Sequence, residues 1–265
     1  MGTATFSEAV LKNLIQHDYN IVQVVSQPDR RVGRKKELKM PEVKFVALEH
    51  YIPVFQPQRI KDDYQAIIDM QPDLIITAAY GQMIPQEVLD CPRLGCINVH
   101  ASLLPKYRGG APVHYAILNG DEKTGVTIMY MVKTMDAGNI IYQKETPISN
   151  DETVGELYDR LSILGAEAII EAMPAIIEGT NESIPQDESK VTYSPVISRE
   201  QEKIDFNKPA VEVYNHVRGL NPWPGAYTTY QGKTVKIYQG LVHNCPNAMT
   251  HHAHQESGTI VKIFK

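Results

Sequence analysis

Apolar positions in the first two thirds of the chain alternate between two periods. Phe6, Val10, Leu11, Leu14 and Ile15 recur at the three- and four-residue steps of one helix face. The next apolar run, residues 20–26, is short and β-branched, which predicts a buried strand. A weaker strand is expected over 52–55 and a helix over 60–70. Residues 73–80 are almost wholly apolar, as in a parallel strand covered on both faces. Strands follow over 95–100, 125–131 and 140–144. Helices are expected over 111–118 and 153–178, the second with a potential break at Pro174. Such alternation predicts an α/β sheet of mainly parallel strands.

The pattern changes near Gly179. Residues 1–180 form one domain, and the polar stretch 181–203 reads as a connector over the surface. The domain at 204–265 begins with a helix carrying Val211, Tyr214, Val217 and Leu220 on one side. Strands over 226–230 and 234–238, split by Gln231-Gly232-Lys233, give a hairpin signal, and 258–264 is one more strand. A β-rich unit of about 60 residues is marginal for independent stability.

Composition narrows the function classes. With 43% hydrophobic and 22% charged residues, the chain is too apolar to be disordered as a whole. No apolar run approaches the roughly 20 residues that cross a bilayer, so no membrane partner is expected. A net charge of -5 excludes a uniformly basic nucleic-acid coat but permits a local basic patch. Cys91, Cys96 and Cys245 are odd in number and irregularly spaced, which argues for a reducing compartment. The amino terminus has neither the basic nor the apolar region of a signal peptide, and Phe6 stands where myristoylation wants Ser or Thr. A cytoplasmic protein is expected.

Candidate chemistry gathers in three places. Asn98 and His100 are two apart on a strand and therefore share a face, at the strand's carboxyl end where open α/β sheets place ligands. An amide and an imidazole there could stabilise an oxyanion and move a proton; alternatively the pair satisfies a loop's backbone groups. Asp136, in Met135-Asp-Ala-Gly138, could orient and charge His100 if its strand is a neighbour, or could be a turn residue. The segment 27–41 crowds Arg30, Arg31, Arg34, Lys35, Lys36 and Lys39 into an acidic protein, which suits phosphates; the alternative is a solvated basic loop. No G-x-G-x-x-G or Walker motif appears. His251 to His254 with Cys245 has metal-ligating residue types, but its irregular terminal setting reads better as a polar tail. Asn221-Pro-Trp-Pro-Gly225 holds the only tryptophan and fixes a tight bend.

Together these segments resemble the methionyl-tRNA formyltransferase family. Ser26-Gln-Pro-Asp-Arg30, Gly33-Arg34, the run from Gly95 to Pro105, Arg108-Gly-Gly-Ala-Pro112, Gly125-Val-Thr-Ile-Met129, Asp136-Ala-Gly138 and Asn221-Pro-Trp-Pro224 fall in the family's order. The Asn-x-His and Asp set alone marks the wider group of 10-formyltetrahydrofolate-using enzymes; the basic loop and Asn-Pro-Trp-Pro narrow it.

The resemblance implies a Rossmann-like formyltransferase domain and a smaller domain like an OB barrel. It implies formyl transfer from 10-formyltetrahydrofolate, a co-substrate, to the α-amine of methionyl initiator tRNA in translation initiation. Asn98, His100 and Asp136 match the catalytic trio. Ser102, Leu103, Leu104 and Pro105 match the folate-binding segment, and Arg30, Arg34, Lys35 and Lys36 belong to the tRNA-binding loop. The family pattern calls for no metal, and a monomer is expected. Against that pattern the chain lacks the strand before Gly2 and the end of the barrel, so an incomplete member is expected, with neighbours of the first strand left unpaired. Two rival readings share the site residues: a formyltransferase acting on a small amine, and an inactive tRNA- or folate-binding remnant. The basic loop, excessive for a small substrate, distinguishes the first.

Overall fold

The computed structural model describes residues 1–33, 35–242 and 256–260. Arg34, Cys245 with His251 to His254, and the strand expected beyond Ile260 lie outside them. In chain order the elements are α1 (Thr5–Gln16), β1 (Val24–Val25), β2 (Arg30–Val32), β3 (Glu37–Lys39), α2 (Glu42–Glu49), β4 (Val54–Phe55), α3 (Gln65–Ile68), β5 (Ile75–Thr77), α4 (Gln86–Asp90) and β6 (Cys96–His100). Then come α5 (Pro112–Leu118), β7 (Lys123–Tyr130), β8 (Ile140–Pro147), α6 (Val154–Glu178), α7 (Ala210–Gly219), β9 (Ala226–Tyr230) and β10 (Lys233–Ile237).

The central sheet runs β5-β6-β7-β8 and is mixed. Only β5 and β6 pair in parallel; β6 with β7 and β7 with β8 are antiparallel, contrary to the mainly parallel expectation. The connection from β7 to β8, residues 131–139, is too short for the crossover of about a dozen residues that a parallel neighbour needs. Helices α1 and α6 cover the sheet. Phe6, Val10 and Leu14 of α1 meet Leu157, Leu161, Ile169 and Ile176 of α6 over Ile97, Val99, Val126 and Ile128.

Helix α6 starts with a reciprocal cap, Thr153 with Glu156, and ends at Gly179 in the left-handed region. Pro174 does not break it. The missing N–H removes one bond, while Ala172, Met173 and Ile176 keep the last turns against the core. The expected helix over 60–70 shrinks to α3. The Ile60 N–H is taken by Gln82 Oε1 at 2.9 Å, and turns, not helical bonds, fill 59–63.

Strand β1 pairs in parallel with β4. Met1 and Gly2 lie between β1 and β5: Gly2 N donates to Val25 O (2.9 Å), the Met1 ammonium to Ile76 O (2.6 Å), and Ala78 N to Met1 O (3.0 Å). These bonds join the two strands at one point only, and β1 and β5 otherwise belong to separate sheets, as expected of neighbours left without a strand between them. Beside this bridge a cavity of about 380 Å³ opens between the two strands, walled by Val10, Leu14, Ile21, Val24, Ile75 and Met173. Enclosure without a carboxylate partner pushes the Met1 ammonium down to about 6.

Beyond the connector, α7 packs on α5 with Val217, Leu220, Ile204 and Ala226 against Leu118. Val211, expected on the packed side, is instead 58% exposed. The Arg218 guanidinium fastens α7 to the first domain by donating to Ser149 O and Glu152 O at 3.0 and 2.9 Å. Strands β9 and β10 form the expected hairpin, but its loop is two residues, Gln231 and Gly232, both with positive φ, and Lys233 already belongs to β10. This hairpin is the second domain's strand structure among the described residues, and no closed barrel is present there; 256–260 form a turn.

The connector is not merely a surface crossing. Tyr193 bridges to Arg108, and Gln186 and Ser194 are buried although the stretch reads as polar. Polar composition predicts exposure only where hydrogen-bond partners are lacking, and here the first domain supplies them.

Candidate active site

Strand β6 lies between β5 and β7, with Asn98 opposite Thr77 and Met129, and His100 opposite Thr127. Its two-residue period places the Asn98 and His100 side chains on one face. Thr77 Oγ1 donates to Asn98 Oδ1 at 2.8 Å. The same hydroxyl lies 3.1 Å from Ile97 O, and Asn98 Nδ2 has no protein acceptor among the described residues. His100 is buried, and its Nε2 sits 2.9 Å from Tyr107 O. A carbonyl only accepts, so Nε2 carries the hydrogen and Nδ1 is left as the nitrogen that exchanges a proton.

Asp136 arrives from the loop between β7 and β8 and places Oδ2 3.7 Å from His100 Nδ1. That separation exceeds hydrogen-bond length, so the two groups face each other through space. The same Oδ2 accepts from Gly109 N at 2.8 Å. Asp136 adopts φ 51°, a conformation few non-glycine residues take. The turn closes onto β7 so tightly that a Cβ at position 138 would stand 1.7 Å from Tyr130 O, which requires Gly138. Gly109, at φ 126°, approaches Ser194 O in the same way, at 2.7 Å from a Cβ.

The 102–105 segment follows β6 directly. Ser102 Oγ donates to Lys106 O (2.6 Å), and Thr127 Oγ1 donates to Ser102 O (2.6 Å) while accepting from Leu104 N (3.1 Å). Gln143 Nε2 donates to Leu104 O at 2.9 Å. Leu104 is buried with Met129 and Ile140, and Ser102 is fully buried, whereas Leu103 and Pro105 are half-buried. Ser102 and Leu104 thus shape the loop from within.

The basic segment is a two-stranded projection, β2 paired with β3, where a loop was expected. Gly33 and Lys36 have positive φ at its tip, and Arg30, Arg31, Lys35 and Lys36 are exposed. Lys39 is paired with Glu42 at 2.6 Å, and Arg30 donates to Gln27 Oε1. Its base is anchored by Asp29, which binds Lys44 (2.8 Å) and Gln56 (2.9 Å). Gln27 and Thr3 both donate to Tyr80 O, at 2.9 and 3.1 Å. The segments following β1 and β5 therefore meet, and the projection leaves from the carboxyl end of β1, as His100 lies at the carboxyl end of β6. No described hydrogen bond or ion pair joins it to Asn98, His100 or Asp136.

Other candidate nucleophiles are poised against such roles. Burial pushes the Cys96 thiol up to about 12 and raises Cys91, and burial likewise holds the Tyr80 and Tyr107 hydroxyls at about 12. All four stay protonated at neutral pH. Among the described residues no three His, Cys, Asp or Glu side chains are placed to hold a metal. No described helix is long and apolar enough to cross a membrane.

Sequence reasoning missed Gln186 and the use of Arg108. Gln186 Nε2 donates to both Asp136 O and Gly138 O at 2.8 Å, and Arg108 holds its Oε1. A lone glutamine in a polar connector gives no signal; Arg108 did stand inside a family-like segment.

Two family descriptions match the chain: formyl transferase over residues 1–173 and formyl transferase, C-terminal domain, over 196–265. Among curated relatives, methionyl-tRNA formyltransferase of Geobacillus sp. (strain WCH70) is 52% identical, covering 100% of this chain and 82% of its own. That of Bacillus thuringiensis (strain Al Hakam) is 54% identical over 99% of this chain and 82% of its own. Among solved structures, the N-formyltransferase from Helicobacter canadensis, in complex with folinic acid and dTDP-3-aminofucose, superposes with a TM-score of 0.65 at 23% identity, covering 82% of this chain and 78% of that one. Identity above half along the whole chain, on a formyltransferase fold whose β6 carries the family's Asn-x-His, establishes that the chain belongs to the methionyl-tRNA formyltransferase family.

Proposed function

We propose that this chain transfers a formyl group from 10-formyltetrahydrofolate to the α-amine of methionyl initiator tRNA, with Asn98, His100 and Asp136 as its catalytic residues. The observation that carries the reading is the meeting of His100 Nδ1 and Asp136 Oδ2 at 3.7 Å at the carboxyl end of β6, the strand that also carries Asn98. The relatives' shared name supports the tRNA substrate, and the folate-bound neighbour supports the co-substrate class.

The co-substrate brings an activated formyl carbon. An α-amine has an ordinary pKa of about 7.7–8.0, so a useful fraction is neutral at pH 7 and attacks without an activated serine or thiol. Negative charge then develops on the formyl oxygen. Asn98 Nδ2 is the donor for it, and one such donor is worth about 3–4 kcal/mol of barrier. His100 Nδ1, faced by Asp136, takes the proton that the amine sheds and returns one to the departing folate nitrogen, a contribution of roughly 100- to 10,000-fold. Nε2 is committed to Tyr107 O, which keeps the ring's orientation through that exchange. Leu103 and Pro105 form the exposed part of the folate-binding segment, and Ser102 and Leu104 hold its shape.

Arg30, Lys35 and Lys36 on the hairpin, together with Arg34, bind tRNA phosphates. The domain boundaries that fit this division of labour are 1–180 for catalysis and 204–265 for tRNA contact. Free thiols at Cys91 and Cys96 suit the cytoplasm, where initiator tRNA is charged.

The test is direct: incubate the purified chain with 10-formyltetrahydrofolate and methionylated initiator tRNA and measure formyl-methionyl-tRNA. Product that appears with tRNA and not with an amino-sugar nucleotide upholds the reading. Product with the small amine alone replaces it, and no product with either leaves a non-catalytic binding protein.

A further inference from the structure

We infer that Gln186, on the connector between the two domains, is a positioning residue that holds the Asp136 carboxylate in place, and that Arg108 in turn holds Gln186. The inference rests on the proposed role of Asp136.

The hydrogen bonds form a closed ring. Gln186 Nε2 spends both of its hydrogens on the Asp136 turn, on Asp136 O and Gly138 O, each at 2.8 Å. Its Oε1 accepts twice from Arg108, from Nε at 3.0 Å and Nη2 at 2.9 Å. All four bonding positions of the amide are filled, inside a residue that is 9% exposed. Gly109, next to Arg108, donates its N–H to Asp136 Oδ2 at 2.8 Å. The Asp136 backbone and side chain are therefore gripped from two adjacent residues of one segment, once directly and once through Gln186.

That segment is itself fixed to the connector. Arg108 N donates to Thr192 O (2.9 Å), Ser194 N to Arg108 O (2.8 Å) and Ala111 N to Ser194 O (3.0 Å). Ser194 Oγ donates to Tyr107 O, the carbonyl that also receives His100 Nε2. Arg108 is 3% exposed, and its other bonds run to Glu188, at 2.8 Å from Nη2. The connector thus reaches both His100 and Asp136.

The chemistry of the ring demands an amide. Two carbonyl oxygens converge on one end of the side chain and a guanidinium on the other, so the end facing the carbonyls must donate and the end facing Arg108 must accept. Asp136 also sits at φ 51°, a conformation that relaxes unless neighbours hold it. Release of the turn moves Oδ2 relative to His100 Nδ1, and misplacement of a catalytic group by about 1 Å costs on the order of 100-fold.

A double-mutant cycle tests this. Gln186→Met keeps the length of the side chain and removes its bonds. It is measured alone and on Asp136→Ala, with kcat, KM for folate and thermal midpoint recorded, using whichever amine the enzyme accepts. The expected result is a fall in kcat of roughly 10- to 100-fold with KM for folate within about twofold, and no further fall when Asp136 is already alanine. A merely structural residue would lower the thermal midpoint and reduce kcat by the same factor in both backgrounds; that result, or an unchanged kcat, overturns the inference. If Gln186→Met does not fold, Arg108→Lys carries the same cycle with the same two outcomes, since it keeps a cation on Glu188 and loses the fork on Gln186. Should Asp136→Ala alone leave kcat intact, the catalytic reading of Asp136 fails and the inference with it. Should Asp136→Ala abolish turnover while Gln186→Met and Arg108→Lys do not, only the inference fails.

Discussion

Asp136 Oδ2 stands 3.7 Å from His100 Nδ1, while the other imidazole nitrogen is tied to the Tyr107 carbonyl at 2.9 Å. One nitrogen is thereby tied to the backbone, and the other faces the carboxylate. The same carboxylate oxygen also accepts from the Gly109 N–H at 2.8 Å, so it faces the imidazole while held by the backbone.

Asn98 Oδ1 lies 2.8 Å from the Thr77 hydroxyl, and in the proposed mechanism the amino end meets the developing oxyanion. Asn98→Ala is expected to lower kcat by roughly 100- to 1000-fold with little change in KM for folate. Steady-state kinetics with the folate varied checks this. A loss confined to KM would show that Asn98 binds substrate and does not stabilise the transition state.

The hairpin of β2 and β3 carries exposed Lys35 and Lys36 at its tip, beside Arg34. Each phosphate contact contributes roughly 0.7–0.9 to the slope of log affinity against log salt. The double change Lys35→Ala with Lys36→Ala should therefore raise KM for charged tRNA and flatten its salt dependence by about one to two units of slope. Arg34→Ala should act in the same direction. Titrations at several salt concentrations decide it, and an equal loss of folate affinity would remove the hairpin from tRNA recognition.

Gly109 combines φ 126° with a backbone oxygen, Ser194 O, where a Cβ would come to 2.7 Å. Gly109→Ala must push the connector away or twist the backbone, at about 2 kcal/mol or more. The expected outcome is a lower thermal midpoint together with reduced kcat, since the displaced N–H is the one Asp136 uses. A variant with wild-type melting would contradict the close approach.

Asp29 anchors the base of the hairpin, and its hydrogen bonds from Lys44 and Gln56 hold its carboxyl below the ordinary 3.8. A carboxyl depressed in the folded state adds stability above its unfolded pKa, and that stability is lost as pH falls through the folded value. Lys44→Met should therefore cost up to about 1 kcal/mol at neutral pH, and the gap to wild type should close on acidification below about pH 4. Denaturation curves from pH 7 downward compare the two. A gap that does not narrow as the pH falls below about 4 would assign the loss to packing of the Lys44 stem.

Much of the site's composition was legible because a strand's two-residue period is strict. Asn98 and His100 had to share a face, and the segment after them had to leave from the carboxyl end. The elements with long periodic runs, α1 and α6, were legible for the same reason. Less of the sheet's direction was readable: an apolar run such as 125–131 looks the same whether its neighbour runs with it or against it. The hairpin at 30–39 was hidden because its strands are short and charged, with no alternation to mark them.

Local chemistry along the chain thus determined which residues could act: the amide and imidazole two apart, the carboxylate in a glycine turn, the crowded basic segment and the family to which they point. Tertiary structure alone decided how they are held. The Thr77 hydroxyl on Asn98, the Tyr107 carbonyl on His100 and the Gln186 amide on the Asp136 turn join positions 21, 7 and 50 residues apart. Two of these three bonds end on a backbone carbonyl, of Tyr107 and of Asp136, a group every residue carries and which therefore leaves no trace in a sequence until the chain has folded.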